Sequence, residues 1–125
     1  MNWTATAAIL LALAVSIGAF GAHGLQGRLD AYSINVYEKA VIYHFFHALG
    51  MLAVPLLVRA RLISESAGNW TGWLLLVGIV LFSGSLYVLA ITGIRTLGAI
   101  TPFGGVSFIA AWVMLAVCAL RSSGQ

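Results

Sequence analysis

Of the 125 residues in this chain, 62% are hydrophobic and only 7% are charged, where a soluble domain carries roughly 25% charged residues to cover its surface. The deficit excludes a water-solvated globule and makes lipid the main solvent. The net charge of +3 comes from six Lys and Arg against three acids, scattered rather than clustered, so a nucleic-acid footprint is excluded as well.

The first apolar run predicts a membrane span over about 3–22. It holds no charge, and Ala14, Gly18 and Ala22 recur every four positions, a spacing that lets another helix backbone approach. A cleaved signal peptide with Ala5 to Val15 as its apolar core is the competing reading, but such a core is preceded by basic residues and this one is not. Next, Leu25, Leu29, Tyr32 and Val36 fall at i, i+4, i+7 and i+11, with Gln26, Asp30, Ser33 and Asn35 on the other side. That pattern predicts a short helix over about 25–37 lying in the interface plane, with a polar loop as the alternative.

A second span is predicted over about 40–59; it includes His44 and His47, and Pro55 falls near its end. The third, over about 70–93, opens on Trp70 and Trp73, rings that favour the headgroup level, and Gly93 is placed to stop it. Thr101 and Pro102 read as an N-cap hydroxyl and a first-turn proline, opening a fourth span over about 102–121. Arg95 alone separates the last two runs, which marks a membrane hairpin surfacing at that residue. The lone Cys118 lies deep in the fourth run, where an unpaired thiol acts as a small hydrophobe.

Four spans place both termini on one side with Arg59, Arg61 and Arg121, facing Arg28, Lys39 and Arg95 on the other. The count is even; Arg59 and Arg61 beside a short loop incline the reading towards cytoplasmic termini.

Ionisable groups near a bilayer call for a function or a partner. His23, Glu38, Tyr43, His47 and Arg95 are the candidate polar cluster, Tyr43 and His47 lying one turn apart on one face. Arg95 is read as its charged lid, approached by Glu38. Ser83, Gly84, Ser85, Gly104, Gly105 and Ser107 supply close packing and hydroxyls for bonds between helices. Metal or haem ligation by His44 and His47 is incomplete, because no Cys, Asp or Glu stands at ligand spacing. No Ser-His-Asp set, phosphate-cradling loop or carboxylate pair is present, so neither catalysis nor a cofactor is expected.

The strings GAFGAHGL at 18–25, YEKAVIYHFFHALGML with its Glu38, Tyr43 and His47, FSGSLYVLA at 82–90 and TGIRTLGAITPFGGVSF at 92–108 closely resemble the small YgdD/YwdK-type bacterial inner-membrane proteins, a family of unknown function. The resemblance implies a four-helix integral membrane protein and carries its motif onto His23, Glu38, Tyr43, His47, Ser83, Tyr87, Arg95, Thr101, Pro102, Gly104 and Gly105. It brings no substrate, cofactor or reaction. His44 departs from the pattern, glutamine being commoner there among relatives, which weakens any metal or haem site needing both histidines.

These readings combine into a single all-α domain, an integral membrane bundle of four transmembrane helices with a short interfacial helix between the first two. The expected role is a structural or assembly protein of the bacterial inner membrane, in contact with lipid and packed with itself or a larger complex, with a dry interior in which Tyr43 and His47 bond other side chains. A permeation or proton-linked transport unit is the alternative, and a haem, metal or quinone binder comes after it.

Overall fold

Short polar side chains decide where the helices begin. Asn2, Asp30 and Ser64 each accept a hydrogen bond from the backbone N–H three residues on, at 3.0, 2.8 and 3.0 Å, satisfying donors that a first helical turn leaves open. In the computed structural model, which describes residues 1–123, these caps open α1 (Trp3–Phe20), α2 (Ala31–Arg59) and α3 (Glu65–Thr92). The fourth helix, α4, is Thr101–Ser123. All four are long and apolar enough to cross a membrane, and no strand occurs among the described residues. A π-helical turn, Gly21–Leu25, extends α1, and a second, Ile79–Ser83, interrupts α3.

Two boundaries differ from the sequence pattern. Residues 25–37 do not form a separate interfacial helix: 26–30 make a turn, and Ala31 onwards is the start of α2, whose 29 residues run unbroken to Arg59. The amphipathic spacing there is real, but Val36 and Tyr37 bury against Ile17, Leu25 and Leu89 instead of lying in the headgroups. Similarly, α3 starts at Glu65, five residues before the tryptophan belt, because Ser64 caps it.

Helix ends explain the rest of the chain path. Gly93 takes the left-handed conformation at φ 74° and its N–H bonds the Leu89 carbonyl at 2.7 Å, closing α3. A short 3-10 turn, Arg95–Ala99, then leads directly into α4. Thr101 is the first residue of that helix rather than its cap, since its hydroxyl is engaged with Ser85 Oγ at 2.6 Å.

Backbones approach closely between α1 and α2, α2 and α3, and α3 and α4. The core falls into two apolar clusters. One gathers Trp3, Ala48, Met51, Val54, Leu75, Ile79, Phe108 and Ala111, and the other Val36, Tyr37, Leu89 and Ala90. Between them lies a polar layer where Ser83 donates to the Ala40 carbonyl at 2.8 Å and His44 meets Tyr87. Small residues make this possible. A Cβ on Gly18 would press Val41, one on Gly21 the Tyr37 ring, and one on Gly104 the backbone of Phe82. Gly105, by contrast, has only an ordinary contact at 3.9 Å, and Gly84 has nothing near it.

The two neighbouring glycines of α4 are therefore not equivalent. Gly104→Ala is expected to destabilise the bundle by about 1–3 kcal/mol, because backbone atoms cannot yield as a side chain does. Gly105→Ala and Gly84→Ala are expected to be neutral or mildly stabilising through helix propensity. Equilibrium unfolding of the three variants in mixed detergent micelles checks this, and equal losses at 104 and 105 would contradict it.

Candidate functional site

The buried stripe of α2 contains Ala40, His44, His47, Ala48, Met51 and Val54, following the helical repeat. Both histidines thus enter the bundle near the middle of a helix about 43 Å long, at roughly 1.5 Å per residue. They are 3% and 8% exposed. They do different things there.

His44 points towards α3, with its Nδ1 2.8 Å from the Tyr87 hydroxyl. Its Nε2 turns to the Leu10 carbonyl of α1 without closing a bond of good geometry, and it is the one sealed side-chain nitrogen or oxygen left unpartnered among the described residues. A neutral ring with the proton on Nε2 and the Tyr87 hydroxyl donating to Nδ1 fits both neighbours. His47 instead has its Nδ1 2.7 Å from the Tyr43 carbonyl. A carbonyl only accepts, so Nδ1 carries the proton and a neutral ring leaves the Nε2 lone pair free. That Nε2 makes no hydrogen bond among the described residues and is not sealed from outside.

Aromatic rings surround His47. Phe108 stacks on it at 3.5 Å between centroids and 14° between planes, Tyr43 lies parallel within 5° at 5.9 Å, and Trp112 tilts against it at 5.8 Å. Phe82 closes the group against Tyr43 at 4.4 Å. Tyr43 is 42% exposed and its hydroxyl has no hydrogen-bond partner among the described residues. A polar–aromatic face therefore opens outward midway along α2.

The remaining candidates do not converge on it. His23 is exposed in the π-helical turn that ends α1. Glu38 lines a separate cleft of about 270 Å³ with Gly18, Gly21, Gln26 and Tyr37. Arg95 makes no ion pair with Glu38; its guanidinium lies 4.2 Å above the Tyr32 ring, and the carboxylate that feels its charge is Asp30. The Asp30 carboxyl is held below its ordinary value by the Ser33 backbone N–H first, then the Ser33 hydroxyl, with Arg95 adding less. Tyr32 captures Arg95 because the first turn of α2, not an interfacial helix, brings that ring under the 3-10 turn.

The hydroxyl residues of the packing set bond between helices, while Gly84 and Gly105 take no close part. Ser83 joins α3 to α2, and Ser107 joins α4 to the Leu74 carbonyl of α3 at 2.6 Å. Ser85 also lies 3.0 Å from the Phe82 carbonyl, so donation by Ser85 there makes Thr101 the donor to Ser85. Pro102 follows in the first turn of α4, where its missing N–H leaves no helical bond unmade. Sequence reasoning overlooked the partnership of His44 with Tyr87 and the rings of Phe82, Phe108 and Trp112. The helical repeat through Ala40, His44 and Met51 signals the first; nothing in spacing alone signals which rings meet.

Tyr87→Phe is expected to lower stability by about 1 kcal/mol, since it leaves His44 Nδ1 without a donor. Tyr43→Phe removes a hydroxyl that bonds nothing among the described residues and is expected to leave unfolding of the isolated protein unchanged. Detergent unfolding monitored by circular dichroism separates the two.

Comparison with known proteins places the chain among relatives. Residues 17–105 match the family described as "Protein of unknown function (DUF423)". A UPF0382 membrane protein of Staphylococcus saprophyticus is 53% identical over 105 residues, covering 84% of this chain and 85% of its own. The UPF0382 membrane protein of Bacillus subtilis, YwdK, is 49% identical over 114 residues, covering 91% and 92%, and one from Staphylococcus epidermidis is 50% identical over 112, covering 90% and 89%. No solved structure matches. With four helices able to span the bilayer and relatives of this identity over nearly their whole length, the chain is a small membrane protein that belongs to the DUF423 family.

Proposed function

We propose that the protein is a non-catalytic assembly component of the bacterial inner membrane, with cytoplasmic termini, whose polar–aromatic face is covered by a second copy or by a subunit of a larger complex. The observation that carries this reading is the pair of free polar atoms, Tyr43 Oη and His47 Nε2, at mid-helix depth. Hydrocarbon offers them no partner, and an unpaired hydroxyl there costs about 1–3 kcal/mol or more, so a partner that bonds them is favoured.

The assembly surface is not the one that small residues suggest. Ala14 is fully buried and Gly18 and Gly21 face Val41 and Tyr37, so the small face of α1 serves contact with α2. Gly104 is likewise taken up by Phe82. The same contact argues against permeation, which would use space beside Gly104 that the Phe82 backbone fills. Among the described residues Tyr43 and His47 find no side-chain hydrogen bond, contrary to what a self-contained bundle leads one to expect.

Replacement of Tyr43 by a photoreactive benzoylphenylalanine in growing cells tests the reading. Irradiation is expected to yield a discrete protein adduct from position 43 and none from the outward Leu13 of α1, which is 48% exposed. Lipid adducts alone from both positions would overturn it.

A further inference from the structure

A cleft of about 730 Å³ opens where the start of α1, the end of α2 and the start of α3 meet, far along the bundle from the polar–aromatic face. Its volume falls in the range of small-molecule sites. Its deeper wall is apolar, formed by Trp3, Val54, Pro55 and Val58. Trp3 is 7% exposed and its indole N–H donates to Asn69 Oδ1 at 3.0 Å, while the ring stands edge-on to Trp73 at 5.5 Å, so this wall is rigid.

Two opposite side-chain charges stand at the mouth, beside Met1 and Asn69. Arg59 is the first charge after the apolar stretch of α2, and Glu65 opens α3, which puts both at headgroup level while Val54 lies about 7 Å deeper along its helix. Each suits the dipole of its own helix end, cation at a C-terminus and anion at an N-terminus. Although they border the same cleft, they form no ion pair with each other or with any described residue. The turn between them holds them apart: Arg61 at φ 62° ends α2, with Leu62 N–H bonding the Leu57 carbonyl at 3.0 Å and Ser64 already capping α3.

A cleft with one apolar wall and an unpaired side-chain cation and anion at its rim is complementary to one class of membrane molecule. We propose that the cleft binds a phospholipid whose headgroup carries an ammonium beyond its phosphate, with the phosphate on Arg59, the ammonium on Glu65 and an acyl chain against Trp3, Val54 and Val58. An anionic lipid lacking the ammonium would set its charge beside Glu65. A choline headgroup carries the charge but no N–H to donate to the carboxylate. The chemistry is shared by phosphatidylethanolamine and by aminoacylated phosphatidylglycerol.

Native mass spectrometry of the delipidated full-length protein, titrated with single lipids from micelles, tests the assignment. Phosphatidylethanolamine is expected to bind with roughly fivefold preference over phosphatidylglycerol, the size of one partly exposed charge pair. Lysyl-phosphatidylglycerol in a parallel titration tells the two ammonium sources apart, the tighter being the natural occupant. Glu65→Gln is expected to erase the preference, and Arg59→Gln to weaken all phospholipids at this stoichiometric site. Ser66→Trp, which fills the mouth without touching either charge, is expected to block it. Glu38→Gln, in the cleft at the opposite end, is the control that changes nothing. Equal binding of ethanolamine and glycerol lipids, or a preference that survives Glu65→Gln in a folded protein, would show ordinary annular lipid only and overturn the proposal.

Discussion

Hydrocarbon accepts and donates no hydrogen bonds, and the arrangement of this bundle follows from how each buried polar group meets that constraint. Most are satisfied by backbone carbonyls of a neighbouring helix or turn. Ser83 reaches Ala40, Ser107 reaches Leu74, Tyr37 reaches Ile17 at 2.6 Å and Thr71 reaches Ala67 at 2.8 Å. Side chains as short as Ser83 and Ser107 can bridge two helices only when the backbones are close. Glycine at 104, set against the backbone of Phe82, supplies that closeness between α3 and α4 and so precedes the hydroxyl bonds in the causal order.

The π-helical turn in α3 belongs to the same solution. It lies at Ile79–Ser83, where Gly104 approaches, and an extra residue in a helical turn leaves carbonyls without regular partners. The Phe82 carbonyl is taken by Ser85, which is tied in turn to Thr101 at the start of α4. Phe82 itself is left against Tyr43 and Phe108, so the local departure from α-helix helps build the aromatic surround of His47. Packing and candidate site are thus one structure. A change at Gly104 would move Phe82 and, through it, the ring that borders Tyr43.

Much of this was legible in the sequence because it depends on pattern. Four apolar runs, the stop at Gly93 and the bridging serines are local or periodic features, and the residues that carry the family resemblance are largely those that pack. The interfacial helix failed because amphipathic spacing states that one face is covered, not by what; Ile17 and Leu89 cover it, and a helix surface cannot announce them. The convergence of His23, Glu38 and Arg95 with Tyr43 and His47 failed for a related reason. Sharing a side of the membrane places groups within a slab, whereas Tyr32 is the neighbour that Arg95 actually meets. The aromatic group around His47 needed the angular positions of three helices at once, which no single helical repeat contains.

Arg95 and the pair Arg59 and Glu65 meet their surroundings in different ways. Near Thr101, the Arg95 cation rests on the Tyr32 face and its field reaches the Asp30 carboxylate that caps α2, so these two charges meet within the chain. Elsewhere, Arg59 and Glu65 stand over an apolar cleft with neither answered. Midway between, Tyr43 and His47 present a donor and a lone pair to the outside of a bundle whose inside is filled. The interior leaves a single sealed side-chain atom, His44 Nε2, without a partner among the described residues, whereas polar atoms stand open at these two surfaces. The shallow opening combines opposite charges with an apolar slot, which suits an amphiphile. The one midway along α2 pairs flat rings with two hydrogen-bonding atoms and no charge, and the proposal of a protein partner there rests on that pairing, since an acyl tail has no group to bond either atom.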